Sequence, residues 1–165
     1  MVPAMSEQLD DLYKEIILDH FRRPRRKGSL DAADARHARG FNPLCGDEVE
    51  VSVLVEDDNI SDVRFEGRGC AISQASASIV SELAAGKTSD EFEDAFARFR
   101  SLLQITDAGE SGAAHFDQDA PAGQQLGDAE ALQSVRAFPS RIKCATLGWN
   151  TLEQALSGSG DFTER

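Results

Sequence analysis

The sequence has few of the residue types that define several common protein classes. Its 165 residues include three cysteines, one tryptophan, one tyrosine and two methionines. An odd and low number of cysteines does not suit a small, disulfide-rich secreted domain. Positive charge is also scarce, because 17 lysines and arginines stand against 29 aspartates and glutamates, for a formal net charge of −12. The chain therefore lacks the basic surface that general binding to nucleic acid requires.

Long apolar runs are absent as well. No stretch approaches the roughly 18 apolar residues that a membrane helix needs. The first residues, Met-Val-Pro-Ala-Met-Ser, have neither the basic start nor the apolar run of a signal peptide. We therefore predict a soluble, cytoplasmic protein that does not bind membranes. Because no large apolar face is evident, we also expect a monomer.

The spacing of the apolar residues predicts an α+β chain. Residues 6–21 show the spacing of an amphipathic helix. Alternating apolar residues over 48–66, interrupted by Asp57-Asp58-Asn59, predict a β-hairpin, and a first strand is expected within 35–42. Further helices are predicted at 71–85, 88–103, about 128–137 and about 143–156.

Domain organisation follows from the composition between these elements. Residues 101–135 contain no lysine or arginine, and 106–127 are rich in Gly, Ala, Asp and Ser, which is typical of loops. We predict one domain over residues 1–165, with a mobile acidic insertion at about 104–127. The Gly-rich tail at 157–165 is expected to be frayed.

A cluster of cations follows the first helix. Five of the six residues from Arg22 to Lys27 are basic. This cluster has two interpretations: a solvated turn that stabilises the end of the helix, or a docking patch for an acidic partner surface.

Three cysteines and one aspartate are the candidate chemical groups. Cys45, Asp47, Cys70 and Cys144 supply the four ligands of a tetrahedral zinc site. Three thiolates with an exchangeable fourth ligand can also hold an iron–sulfur cluster. The local strings are Asn-Pro-Leu-Cys-Gly-Asp at 42–47, Gly-Arg-Gly-Cys-Ala at 67–71 and Arg-Ile-Lys-Cys-Ala at 141–145.

The hairpin indicates why these groups meet. Cys45 lies 13 residues before Asp58 and Cys70 lies 12 residues after it, so the returning strands place both cysteines at the open end. Asp47 is two residues from Cys45 and points the same way in extended backbone. Cys70 and Cys144 each precede or begin a predicted helix, where free backbone N–H groups stabilise a thiolate.

Two other interpretations of these residues remain open. Free cysteines are often small buried apolar residues, although all three lie next to turns or element ends here. A cysteine–histidine hydrolase would use His20, His37 or His115, but solvated or capping roles suit these histidines better.

At these residues the chain resembles the IscU/NifU-N family of iron–sulfur cluster assembly proteins, and specifically its SufU branch. The matching strings cover nearly the whole chain in order: Tyr-Lys-Glu-Ile-Ile-Leu-Asp-His-Phe-Arg-Arg-Pro at 13–24, the 42–47 string, Gly-Arg-Gly-Cys-Ala-Ile-Ser at 67–73 and Arg-Ile-Lys-Cys-Ala-Thr-Leu-Gly-Trp at 141–149. The resemblance implies a compact two-layer sandwich, in which helices pack on one face of a small three-stranded antiparallel sheet. It also implies a metal site formed by Cys45, Asp47, Cys70 and Cys144.

The resemblance implies a function as well. Where the IscU branch has a histidine before the third cysteine, this chain has Lys143, and its segment between the second and third cysteines is longer. Both features resemble SufU, which implies a Zn²⁺-dependent sulfurtransferase that accepts persulfide sulfur from a SufS-type cysteine desulfurase, within a Suf cluster-assembly complex. The alternatives are a scaffold that holds a transient [2Fe–2S] cluster on the three cysteines, and a binding module with a structural zinc.

Within the leading hypothesis, individual residues take distinct roles. Cys45 is the expected sulfur acceptor, because it lies in the Gly-flanked loop. Asp47 is the expected ligand that exchanges. Arg141 is expected to hydrogen-bond Asp47 or a thiolate from outside the ligand set, and Lys143 to favour thiolates as a nearby cation.

Overall fold

The structure is a computed structural model that describes residues 4–103, 126–158 and 160–163. The proposed mobile insertion falls largely on residues 104–125, which lie outside the described residues, as does His115. The elements in chain order are α1 (Ala4–Arg22), β1 (Arg36–Asn42), β2 (Asp47–Glu56), β3 (Asn59–Arg68), α2 (Ala71–Ala84), α3 (Ser89–Leu102), a 3₁₀ helix (Gly127–Ala137), α4 (Pro139–Leu156) and β4 (Gly160–Thr163).

The fold is α+β, as predicted. Strands β1, β2 and β3 form the antiparallel sheet, with the predicted hairpin between β2 and β3. Asp57 and Asp58 adopt positive φ angles of 50° and 65° at its turn, a conformation that aspartate tolerates better than most residues. Helices α2 and α4 pack against this sheet, and α1, α3 and the 3₁₀ helix pack around them.

The tail departs from the prediction. Residues Gly160–Thr163 form β4, which pairs in parallel with β1 and extends the sheet to the order β3-β2-β1-β4. The expectation that 157–165 is frayed is therefore wrong for these four residues. Composition misleads here, because strand pairing uses backbone groups, and the exposed edge of β1 supplies free N–H and C=O partners.

Small residues bring the two central helices close together. A side-chain carbon at Gly148 of α4 would lie 3.1 Å from Cα of Ala77 in α2. Such small contact residues let the helix backbones approach. This packing holds α4, and with it Cys144, against the element that begins at Cys70.

Helix α4 begins earlier than the sequence pattern indicates. It starts at Pro139 and not near Lys143, so Cys144 lies in its second turn and not at its start. Proline is favoured in the first turn of a helix, where it begins the element instead of ending the previous one. No helix in the described part of the chain is long and apolar enough to cross a membrane.

Candidate metal centre

The open end of the β2–β3 hairpin brings two predicted ligands, Asp47 and Cys70, together. Asp47 begins β2, and the strand register places it beside Gly69, directly before Cys70. The backbone N–H of Cys70 donates a hydrogen bond of 2.9 Å to Asp47 Oδ1. Asp47 Oδ2 then lies 3.9 Å from Cys70 Sγ. The carboxylate is fully buried, so this hydrogen bond fixes its orientation next to the sulfur.

Cys144 reaches the same point from helix α4. Its Sγ lies 3.6 Å from Cys45 Sγ. The ligand atoms of Cys45, Asp47 and Cys144 all lie within 4.8 Å of one another. Cys70 Sγ is not part of that group and approaches it at Asp47 Oδ2, 3.9 Å away. Three of the four predicted ligands therefore converge on one volume, and Cys70 lies beside it.

The distances suit a small tetrahedral ion. With Zn–S bonds of about 2.3 Å, the ligand atoms of a tetrahedral zinc site lie roughly 3.5–3.8 Å apart. The observed separations are 3.6 Å between two sulfurs and 3.9 Å between a sulfur and a carboxylate oxygen. Three thiols and one carboxylate therefore fit zinc in number and type, and these two pairs also fit it in spacing. Cys70 must move closer to Cys45 or Cys144 to complete the tetrahedron. The same donors also fit an iron–sulfur cluster with three thiolate ligands.

The surroundings of Cys144 disfavour its thiolate form. Burial raises the pKa of the Cys144 thiol, and its hydrogen bond with Asp47 and the nearby Cys70 raise that pKa further. Each of these effects opposes a second negative charge in a buried place. A bound cation reverses them, because a thiolate that coordinates a metal is held deprotonated.

Exposure differs sharply among the three cysteines. Cys45 is exposed, Cys70 is partly exposed and Cys144 is buried. Cys45 lies within a tight turn, in which the amide N–H of Gly46 donates to the Asn42 carbonyl and Gly46 adopts a positive φ of 72°. Of the three sulfurs, Cys45 is therefore the one that a reactant in solution reaches first.

Cys70 keeps its predicted position at a helix start. It is the N-cap of α2, and its sulfur accepts a hydrogen bond of 3.4 Å from the backbone N–H of Ser73.

Arg141 lies one turn before Cys144 and on the same face of α4. Negative charge on the neighbouring Cys70 and Cys144 raises the pKa of the Arg141 guanidinium, which is consistent with a position beside these two sulfurs. Lys143 is half-buried and next to Cys144 in sequence, so it points about 100° away around the helix.

Asn42 contacts Cys144, and the sequence did not indicate this contact. This buried side chain donates from Nδ2 to Cys144 Sγ over 3.6 Å, and its Oδ1 accepts from the backbone N–H of Leu44. The asparagine thus joins the Cys45 loop to helix α4. The Asn-Pro pair before the first cysteine is a turn signal, which indicates the turn but not its contact with α4.

The histidines considered as partners of a catalytic cysteine lie outside the thiol site. Both ring nitrogens of His20 are engaged, by Ser78 Oγ and by Asp128 Oδ2. His37 is exposed on β1, opposite Ser52. Neither arrangement is that of a cysteine–histidine hydrolase, in which the imidazole hydrogen-bonds the nucleophile.

The basic cluster at 22–27 is partly used within the chain. Arg25 pairs with Asp19 at 2.5 Å, and Arg26 pairs with Asp62 at 2.9 Å. Arg23 lies 3.9 Å from Asp19. These pairs favour the interpretation of the cluster as a stabilised turn over that of a docking patch.

Gly69 gives a direct test of the Asp47 position. A side-chain carbon there would lie 2.3 Å from Asp47 Oδ1, and Gly69 has a φ of +150°. We expect Gly69→Ala to displace the carboxylate and to weaken zinc binding by about 10- to 100-fold, the range found when groups supporting a metal ligand are lost. Competition with a zinc-binding dye measures this affinity.

Gly28→Ala is the matched control for this variant. Gly28 has a similar φ of +138° but has no atom within 4 Å of the added carbon. Both variants carry the backbone strain of a left-handed residue, and only Gly69→Ala collides with Asp47. Equal zinc affinity in the two variants would show that Asp47 is not needed for binding.

Comparison with known proteins identifies the family. Residues 12–102, more than half of the chain, match the NifU-like N terminal domain family. The chain is 37% identical over 158 residues to the iron–sulfur cluster assembly scaffold protein IscU of Streptococcus pyogenes serotype M1, covering 96% of this chain and 90% of that protein. It is 36% identical over 154 residues to the zinc-dependent sulfurtransferase SufU of Bacillus subtilis, covering 93% and 95%.

A solved structure agrees with these matches. The putative iron–sulfur cluster assembly scaffold protein for the SUF system from Fervidobacterium islandicum superposes with a TM-score of 0.69 at 34% identity, covering 86% of this chain and 94% of that one. The chain belongs to the NifU-like N-terminal domain family, which includes the IscU and SufU proteins.

Proposed function

We propose that this protein works in iron–sulfur cluster assembly as a zinc-dependent sulfur acceptor. One observation carries the proposal: the exposed Cys45 lies in contact with the buried Cys144, in a group with Asp47 whose ligand atoms are close enough to hold one ion. A purely structural site needs no exposed sulfur, whereas a transfer site needs one. The SufU name of the Bacillus subtilis relative supports the same function.

The transfer step assigned to Cys45 is a thiolate exchange. The Cys45 thiolate attacks the outer sulfur of a persulfide on the donor enzyme. A new S–S bond forms at Cys45, the donor's S–S bond breaks, and the donor cysteine leaves as a thiolate. No external oxidant or reductant is needed, because the persulfide brings the oxidised sulfur with it.

Other residues hold and prepare the site. We assign Cys45, Asp47, Cys70 and Cys144 as the zinc ligands, and the ion supplies charge that keeps the thiols deprotonated. Asp47 is the ligand proposed to exchange, because carboxylate is a harder donor than thiolate and its backbone bond to Cys70 keeps it in place once released. Arg141 supports negative charge on Cys70 and Cys144.

The donor is proposed to be a SufS-type cysteine desulfurase that docks over the apolar rim of this site. Leu44, beside Cys45, is 68% exposed, and Phe138, which precedes α4, is 60% exposed. Both residues are next to site elements in sequence, so a partner that covers them would also cover Cys45. A cytoplasmic, monomeric protein that meets other Suf components at this surface is consistent with the proposal.

Elemental analysis tests the proposal. We expect anaerobically purified protein to contain about one zinc per chain, with iron and acid-labile sulfide absent, since three thiols and one carboxylate make one complete tetrahedral ligand set. Adding this protein to the desulfurase is expected to raise sulfide or persulfide turnover from cysteine. Removing zinc with a chelator is expected to lower the thermal midpoint, because the ion binds the folded site only.

A cluster scaffold is the second candidate function. Relatives named as IscU scaffolds are as similar as the SufU relative, and the three thiols suit a [2Fe–2S] cluster equally well. Stoichiometric iron and sulfide in the same analysis would support the scaffold and contradict the sulfurtransferase.

A further inference from the structure

A second group of metal-binding side chains lies outside the thiol site. It consists of His20 on α1, Glu82 on α2 and Asp128 on the 3₁₀ helix, and their ligand atoms all lie within 4.8 Å of one another. Three separate elements therefore present one imidazole and two carboxylates to a common point. Glu82 is 12 residues after Cys70 along α2, which corresponds to about 18 Å of helix.

A hydrogen bond at Nδ1 holds the buried imidazole of His20 in position. It is only 1% exposed, and its Nδ1 lies 2.8 Å from Ser78 Oγ. Ser78 Oγ also accepts a hydrogen bond of 2.8 Å from the backbone N–H of Arg25. Histidine ligands in metal sites typically have such a partner on the second ring nitrogen, which sets the ring orientation. The other nitrogen, Nε2, consequently faces Asp128.

The ligand spacing suits six-coordinate geometry. Nε2 of His20 lies 2.8 Å from Oδ2 of Asp128. Two adjacent ligands at right angles, with bonds of about 2.1 Å, lie roughly 3 Å apart. The pair needs little movement to bind one ion. When an ion binds, Nε2 is the ligand atom and the ring N–H is on Nδ1, where Ser78 Oγ accepts it.

Exposure and charge both allow an ion to enter. Glu82 is exposed and the Asp128 side chain is 50% exposed, so the carboxylate side of the cluster opens to solvent while the imidazole forms its floor. Two carboxylates and a neutral imidazole offset the charge of a divalent ion. The open side leaves room for water ligands.

We propose that His20, Glu82 and Asp128 form a second, divalent-cation site on this chain. Imidazole suits iron and zinc, whereas carboxylate and water suit manganese and magnesium, so the mixed set favours Mn²⁺ or Fe²⁺. The bound ion joins α1, α2 and the 3₁₀ helix. This site is independent of the thiol centre and of the function proposed for it.

Manganese alone is the probe for the test. Protein whose thiol site is filled with one zinc is titrated with Mn²⁺, and the free Mn²⁺ signal is followed by electron paramagnetic resonance. We expect about one Mn²⁺ bound per native chain. Asp128→Asn and Glu82→Gln are each expected to weaken this binding at least about tenfold, because each removes one of three protein ligands.

Glu93→Gln is the control variant, since Glu93 is an exposed carboxylate on α3. It should bind Mn²⁺ as the native chain does, and all three variants should retain their zinc. Both carboxylates are exposed, so their loss tests the site without removing the buried histidine. Native protein that binds no Mn²⁺ overturns the proposal. Equal binding by Asp128→Asn, Glu82→Gln and Glu93→Gln overturns it as well.

Discussion

Cys45→Ala is expected to remain folded and to lose sulfur acceptance by at least about a hundredfold. The loss follows because thiolate exchange has no substitute nucleophile at this position. The fold should survive because Cys45 is exposed in a loop, and an exposed side chain contributes little packing energy. A structural zinc site predicts the opposite pattern, in which removing any ligand unfolds the protein.

Mass spectrometry provides the measurement. Native protein incubated with the desulfurase and cysteine should gain one sulfur atom, and the modified peptide should contain Cys45. Far-UV circular dichroism of the variant reports whether the fold is retained at the same zinc concentration.

Cys144→Ala serves as the contrasting variant. Cys144 is fully buried, packs within α4 and accepts a hydrogen bond from Asn42. Its replacement should lower stability by about 1–3 kcal/mol, because Asn42 loses its buried partner. The assignment of Cys45 would be wrong if the added sulfur were found on Cys70 or Cys144, or if Cys45→Ala accepted sulfur at the native rate.

The sequence predicted the two strands of the hairpin well, but it did not predict which residue lies next to Cys70. Alternating residues and an aspartate-rich turn are local signals, and they located β2 and β3. A register shift between Leu54 and Val55 adds one residue to one side of the ladder. With this shift Asp47 aligns with Gly69, and Cys45 lies in the turn before β2, so the residue that bonds to Cys70 is Asp47 and not Cys45. A bulge of this kind leaves no clear trace in an alternating pattern.

Contacts that depend on packing could not be predicted in the same way. The meeting of Cys144 with Cys45 depends on α4 lying close to α2, which Gly148 and Ala77 permit. The bond from Asn42 to Cys144 joins residues 102 apart in sequence. Strand β4 forms because β1 has a free edge, and that edge exists only once the sheet is assembled. Periodicity reports which face of an element is apolar and not which partner covers it.

Trp149→Ala is expected to destabilise the protein by about 3–5 kcal/mol, a large part of the stability of a typical domain. Trp149 is fully buried, and its ring stacks on Phe99 with centroids 4.0 Å apart and planes 7° apart. Its Nε1–H also donates to Ser76 Oγ over 3.1 Å. Chemical denaturation of the zinc-free protein, followed by circular dichroism, measures the change, because the chain has no second tryptophan for fluorescence.

Trp149→Phe separates the contribution of the ring from that of the hydrogen bond. Phenylalanine keeps an aromatic surface against Phe99, and Ser76 Oγ keeps its own hydrogen bond to the Ala145 carbonyl. We therefore expect this variant to lose less than half as much stability as Trp149→Ala. Helix α4 carries both Trp149 and Cys144, so loosening this contact should also weaken zinc binding. A loss below about 1 kcal/mol in Trp149→Ala would mean that α4 is held in place by other contacts.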